Sequence, residues 1–473
     1  MPGPAMLTPP APFTSATRQP MHRSVLRASA LMLAAVLLGN LHAPAKADTA
    51  ALGLLEALKL AQLQDPQYRA AQAQAQADAQ LPSLGLATLL PQVSASARLE
   101  EQTNTYQAFG QNIEAKRNPG TYALVLNQAL FRPQAWASYQ QSRLLAEQGE
   151  LRLRSASQNL ILRVADAYLA VLAAQDDLRS LAAQEQAVVE QLQFAKKNFE
   201  IGNATITDQQ EAQARFDLIA AQALAANNAL AVAQLGLQTL IGQPADRLQP
   251  LSPAFTLAPP MPNDPKAWGE AARQSNLEVL QAQLGLEIAR REVDKSRYGH
   301  LPTLDFTAQV VDTEQQVFDA STGRPFDIGV DNTTFGLVLN VPIFSGGGTQ
   351  ARVKQQASML QKSKGELDFS VSQAQQQAQA AYLQLNTSLG QVRALQTAKA
   401  SSLLALQANR TGYEVGVRSN IDVLNAQQQL SAIERDLSRA QYQSLSALLR
   451  LQAVVGQLSA ETLTQISLGA TKP

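Results

Sequence analysis

The chain repeats itself at a spacing of about 213 residues. Tyr122-Ala-Leu-Val-Leu-Asn-Gln-Ala-Leu-Phe131 returns as Phe335-Gly-Leu-Val-Leu-Asn-Val-Pro-Ile-Phe344. Phe199-Glu-Ile-Gly202 returns as Tyr413-Glu-Val-Gly416, Asp208 as Asp422, and Ile241-Gly242-Gln243 as Val455-Gly456-Gln457. Leu90-Pro91 returns as Leu301-Pro302. Ordered matches at a near-constant offset mark a duplicated unit, which must be settled before any fold is assigned. The expected division is 1–47, 48–262 as the first structural repeat and 263–473 as the second.

Each unit reads in the same order. A helix over 51–80, or 265–299, precedes two strands. A very long helix follows over 133–198, or 349–412. A Gly-containing turn then leads to a closing helix over 209–241, or 423–455. These helices are dense in Ala, Gln, Leu and Arg, all good helix formers, and carry only narrow apolar stripes. That pattern fits coiled-coil-like packing better than a globular core. The long helix spans about 100 Å, and the two shorter ones together match it, so they are expected to stack end to end beside it. The Pro-rich stretch 244–265 is expected as an irregular belt near their junction.

The first 47 residues read as an export signal. Arg23 and Arg27 precede a mainly apolar run, Ala28 to Leu38, and Ala45-Lys46-Ala47 supplies a cleavage site. Met21 is an alternative start to Met1. The apolar run is too short for a bilayer. Of 38 Lys and Arg, four lie in this segment and none of the 38 Asp and Glu does, so the remainder carries 38 − 4 = 34 against 38. An exported, mildly acidic chain is not a nucleic-acid binder. No later run of 18 apolar residues is evident, so no transmembrane helix is expected.

Four segments alternate with period two. Val93 to Leu99, Tyr122 to Leu126, Leu304 to Val310 and Phe335 to Val341 set apolar residues against Ser, Asn, Thr and Gln. Such strands of about ten residues fit an outer-membrane barrel, lipid face against lumen face. The competing reading is a soluble hairpin packed on one face. Polar loops are expected over 101–120 and 312–332. Four strands cannot close a membrane barrel, because lipid does not tolerate open edges. Two copies would give eight strands with a filled lumen, and three would give twelve with a pore.

Catalytic material is scarce. There is no cysteine, and the three histidines are His22, His42 and His300. His300 reads as a boundary residue in Tyr-Gly-His-Leu-Pro. Gly346-Gly-Gly348-Thr-Gln-Ala351, with Glu366 twenty residues on, matches a dinucleotide fingerprint. Its strand alternates, however, whereas a buried parallel strand would be continuously apolar. No cofactor and no enzyme activity are expected. The two turns, Phe199 to Asp208 and Tyr413 to Asp422, hold a Gly suited to a helix stop. Thr207 or Asp208, and Asn420 or Asp422, are the expected caps of the following helices.

Those turns, the segment Gly299-His-Leu-Pro-Thr-Leu-Asp-Phe-Thr-Ala308 and the duplicated layout closely resemble TolC-family outer-membrane channel proteins, over essentially all of 48–470. The resemblance implies a mainly α fold with a membrane β-barrel. Four strands per chain would close a twelve-stranded barrel in a homotrimer, above a long α-helical barrel in the periplasm. It implies an exit duct for drug efflux or type I secretion, in outer-membrane lipid. Its partners would be a periplasmic adaptor and an inner-membrane pump or ABC transporter. The alternative is a periplasmic coiled-coil adaptor or scaffold without a barrel. At the entrance, the resemblance implies that Tyr413 and Arg418 bond Thr207 and Asp208 of a neighbouring coil. Asp422 would form an acidic ring. The position one turn on, where the family carries a second Asp, is Asn425. Gly202 and Gly416 would receive the adaptor.

Overall fold

The computed structural model describes residues 51–108, 111–202, 205–250, 257–318 and 325–467. The export signal and its cleavage site lie outside the described residues. Helices α1 (Leu54–Gln64), α2 (Pro66–Asp78) and α3 (Leu81–Ala87) lead into β1 (Gln92–Leu99). A hairpin follows, β2 (Gln102–Ala108) and β3 (Gln111–Arg117), then β4 (Gly120–Phe131), α4 (Pro133–Glu200) and α5 (Ile206–Ile241). The second half runs α6 (Pro265–Ser275), α7 (Leu277–Arg297), β5 (Thr303–Phe318), β6 (Pro325–Asn340), α8 (Gly348–Glu414), α9 (Asn420–Val454) and α10 (Ala460–Ser467).

The opening helix of each half is broken, against expectation. Pro66 disfavours helical geometry at Asp65, which turns extended with ψ 118° and caps α2 by accepting the Tyr68 N–H at 2.6 Å. The Asp-Pro pair was a readable start signal inside the expected helix. Asn276 does the same 211 residues later, accepting from the N–H groups of Glu278 and Val279 at 2.9 and 3.2 Å. No proline announces that break.

Strands β1, β4, β5 and β6 form one antiparallel sheet in the order β1-β4-β5-β6. Its register places Ala95, Leu124 and Val310 in one row. Val93, Leu126, Ala308 and Phe335 form the next. Directly opposed residues share a face, so the apolar alternates of all four strands lie together. The opposite face carries rows such as Gln92, Asn127, Thr307 and Gly336. In the single chain Leu124, Phe335, Leu337 and Leu339 are all more than half exposed. Both expected polar loops prove to be largely strand: β2 pairs with β3, and β5 and β6 extend to Phe318 and Pro325. These extensions are mostly polar, as loops are, yet their backbone is satisfied through the ladder, with Tyr106 opposite Ile113 and Val317 opposite Phe326.

The long helices pair as hairpins, α4 with α5 and α8 with α9. Helices α1 to α3 run along α4 beside the end of α5, and α6 and α7 run along α8. The two halves meet where α4 touches α7 and α9. The helical columns therefore follow the order of the sheet. The α1–α3 and α5 column belongs to β1, α4 to β4, the α6, α7 and α9 column to β5, and α8 to β6. The core sits where α1, α4, α5 and α9 converge, around Leu58, Leu160, Val164, Tyr168, Leu237 and Leu445. Ala57, Ala61 and Ala165 are fully buried there and permit close helix approach. The irregular belt after α5 lies against the start of α1. Leu52 bonds Arg247 and Gln249 through its backbone, and the Tyr168 hydroxyl donates to the carbonyls of Leu52 and Gln249 at 3.0 and 2.7 Å.

Contrary to expectation, one described helix, α5, is long and apolar enough to cross a membrane. It has no charged residue from Leu218 to Ile241. Gln and Asn interrupt its apolar run in sequence without lowering its average enough. In the fold it is the antiparallel partner of α4, with Leu237 and Ile241 buried.

The two strand-to-helix junctions differ. Arg132 donates from Nε and Nη2 to the two carboxylate oxygens of Asp305 at 2.8 and 2.9 Å, and Pro133 begins α4. The second junction is Ser345-Gly346-Gly347-Gly348, with φ of 63° and 79° at Gly346 and Gly347. The fingerprint-like glycines thus form a left-handed turn after an antiparallel strand, and Glu366 pairs with Lys362 at 3.0 Å. His300 is exposed in a 3-10 turn before β5.

Candidate functional site

The turns that join α4 to α5 and α8 to α9 are built alike. In the first, Gly202 takes φ 78° and its N–H bonds the Phe199 carbonyl at 3.0 Å; in the second, Gly416 takes φ 79° and bonds Tyr413 at 3.0 Å. A left-handed residue closes each helix, which favours glycine. The space a Cβ would occupy at either is open: apart from its chain neighbours, no heavy atom of the described residues lies within 4 Å.

The caps are not Thr207 or Asp208, nor Asn420 or Asp422, but Thr205 and Ser419. The Asp208 N–H donates to Thr205 Oγ1 at 3.2 Å, while the Thr205 N–H and hydroxyl both donate to Asp208 Oδ2 at 2.8 Å. Ser419 and Asp422 repeat this: the Asp422 N–H reaches Ser419 Oγ at 3.2 Å, and the Ser419 N–H and hydroxyl reach Oδ2 at 2.9 and 2.7 Å. Both are capping boxes, and both were legible as Thr-x-x-Asp and Ser-x-x-Asp. Thr207 and Asn420 fall in the first turns of their helices.

These bonds hold both carboxyls below their ordinary range. For Asp208 the Thr205 backbone N–H contributes most; for Asp422 it is the Ser419 hydroxyl, with a further pull from Arg418. Both acids are therefore ionised at neutral pH. In each, only Oδ2 is engaged, so Oδ1 accepts no hydrogen bond among the described residues.

Within one chain, Arg418 does not meet Asp208. Its stem packs against Gly412, and its N–H bonds the Gly412 carbonyl at 3.1 Å, leaving the side chain exposed. Tyr413 is exposed on the last turn of α8, and Thr207 is exposed. What the fold does bring together is the two tips. Asp208, Glu211 and Arg215 on α5 line a cleft of about 230 Å³ with the cap residue Ser419 and with Ile421 and Leu424 on α9. Beside it, Arg215 Nη2 donates to Asn425 Oδ1 at 3.1 Å. Sequence reasoning singled out Asn425 but not Arg215; the contact joins positions 210 apart, and no local signal marks it. Among the described residues, no group of three or more His, Cys, Asp or Glu gathers as metal ligands would.

The chain matches the family model described as "Outer membrane efflux protein" over residues 57–243 and 268–457. It is 33% identical to the "Alkaline protease secretion protein AprF" of Pseudomonas aeruginosa, over 87% of this chain and 86% of that protein. It is 29% identical to the "Outer membrane protein TolC" of Vibrio cholerae, over 88% and 93%. Among solved structures it is similar to the outer membrane protein VceC of Vibrio cholerae, with a TM-score of 0.70 and 18% identity over 85% of this chain and 96% of that one.

Proposed function

Since the chain belongs to the outer membrane efflux protein family, we propose that it is a passive, gated exit duct of an efflux or type I secretion system. It is an outer-membrane channel that extends into the periplasm, and not an adaptor lacking a barrel. We further propose that it performs no catalysis, that residues 1–47 are removed, and that 48–262 and 263–473 are the repeats. It works as a homotrimer with a periplasmic adaptor and an inner-membrane pump or ABC transporter.

One observation carries the trimer. The sheet and the helical layer have the same order, so their free edges coincide: β1 with the α5 column on one side, β6 with α8 on the other. A head-to-tail joint between unlike edges generates a ring when its rotation closes. It pairs the exposed strand edges and covers apolar residues at both helical edges, Leu218, Leu224, Val232 and Leu235 on α5 and Phe369, Leu383, Leu403 and Leu404 on α8. Three copies supply twelve strands, enough for an open lumen. The purified protein in detergent is expected at a native mass of three chains and to conduct ions across a planar bilayer. A mass of one or two chains, or inserted protein without conductance, would refute the reading.

At the entrance, we propose that Tyr413 and Arg418 face Thr207 and Asp208 of a neighbouring coil, and that Asp422 rings the opening. Gly202 and Gly416 receive the adaptor, because their exposed faces allow close backbone approach. Replacing Gly416 with Asn, which tolerates the left-handed region, should leave export near its normal level. Replacing it with Phe should reduce export severalfold without loss of trimer, and the same pair at Gly202 should behave alike. Export unchanged in both Phe variants would count against docking there.

A further inference from the structure

The seam between the two helical hairpins of one chain is held unevenly. In its upper part, acids of α4 accept from donors of α9. Asp166 takes Ser446 at 2.6 Å and Arg450 at 3.0 Å, Asp176 takes Tyr442 at 2.6 Å, and Asp177 takes Arg439 at 2.5 Å. Below Arg439, one side-chain hydrogen bond crosses the seam among the described residues, that from Arg215 to Asn425. It lies about 20 Å further down α9, one turn from the Ser419–Asp422 capping box. There the polarity reverses, with the first repeat donating and the second accepting. The far ends of the hairpins also differ. The first is fixed to the sheet by Pro133 and the Arg132–Asp305 pair, the second hangs on Gly346 to Gly348. The second hairpin thus has freedom at its membrane end, firm side contacts midway, and one bond to the first at its tip.

We propose that Arg215 and Asn425 form a second latch, inside each protomer, that ties the α8–α9 tip to the α4–α5 tip and biases the entrance closed. The inference rests on the gated-duct reading and deepens it. It also assigns Asn425 a task other than a lost acid: its oxygen points to Arg215, so an acid at 425 would be neutralised by that guanidinium rather than add charge to the opening.

Resting conductance in planar bilayers tests this, with trimer content checked in detergent. Arg215→Gln and Asn425→Ala should each raise it about fivefold or more, and the double variant no further than the larger single. Asn425→Asp should lower resting conductance and leave multivalent-cation block unchanged. In the Arg215→Gln background the same change should strengthen that block, because the carboxylate is then free. The chain has no cysteine, so Arg215→Cys with Asn425→Cys gives a clean pair for a short thiol crosslinker. Crosslinked trimers should stay closed, and cleaving the linker should open them. Arg418→Ser is measured alongside. If it opens the channel while Arg215→Gln and Asn425→Ala do not, the second latch is wrong and the gated duct stands. If none of the three opens well-inserted trimers, both readings fall. Stronger cation block in Asn425→Asp alone would also overturn the assignment.

Discussion

Replacing Arg163 with Met is expected to destabilise the helical body by about 3 kcal/mol. Arg163 on α4 donates from Nη1 and Nη2 to the two oxygens of Asp65 at 2.9 and 3.0 Å. Asp65 is only 2% exposed, while the Arg163 side chain is about a third exposed. Removing the arginine leaves a carboxylate buried without its counter-charge; removing the acid leaves a cation that can turn to water. Asp65→Asn should therefore cost much less, since Asn also retains the cap on α2. Arg163→Lys should fall between, keeping the charge and losing the fork. The pH dependence has a definite sign. Hydrogen bonds from Arg163 are the largest effect on Asp65 and hold its carboxyl below the usual range, although burial opposes them. A depressed folded value means that the pair's contribution is present above about pH 4, the unfolded carboxylate value, and is lost as pH falls through the folded one. The gap between wild type and Arg163→Met should thus narrow below about pH 4. Thermal loss of ellipticity measured against pH checks this. A gap under 1 kcal/mol at neutral pH, or one that widens in acid, would rule it out.

The legible parts of this molecule are those whose information is local and periodic. The strand register follows from alternation, because a slip of one residue would exchange the faces. The hairpins of 68 and 36, and of 67 and 35, residues begin and end within a few positions of where propensity and the Gly turns place them. The misses have specific causes. Asn276 breaks a helix without a proline because its side chain caps the next one and its amide donates to the Val454 carbonyl at 2.7 Å, a tertiary bond. The β2–β3 ribbon is mostly polar and pairs only Tyr106 with Ile113 as large apolar residues, so binary patterning gives it a weak signal. The apolar character of α5 is spread between Gln and Asn, and only an average reveals it. At the entrance, the capping partners could be read three residues apart, but Arg215 could not be joined to Asn425. That bond depends on how two hairpins of separate repeats wrap at their tips.

At the entrance, Arg418→Ser should raise resting conductance, with the open population increasing roughly a hundredfold when three symmetry-related contacts are lost together. Asp208→Ala should act similarly, and the double variant should be less than additive, because both changes break one contact. The capping boxes sharpen the test rather than remove it. Asp208 spends Oδ2 on Thr205, and its Oδ1 accepts no hydrogen bond among the described residues, so under the proposed latch one carboxylate would serve as cap and latch at once. Thr205→Ala separates the two roles: it removes the hydroxyl from the box and leaves the carboxylate in place. If capping alone matters, Thr205→Ala should open the channel as much as Asp208→Ala, and Arg418→Ser, which breaks neither box, should do nothing. If the latch matters, the order reverses. Asp422 gives an independent reading through ion preference. Its carboxyl is held ionised by Ser419, so three copies around a narrow opening should favour cations and bind multivalent ones. Asp422→Ala should shift the reversal potential toward anions and abolish multivalent block, whereas Ser419→Ala, which weakens the cap and keeps the charge, should leave ion preference unchanged. Equal effects of Asp422→Ala and Ser419→Ala on reversal potential would place that acid in the helix cap and not in the pore.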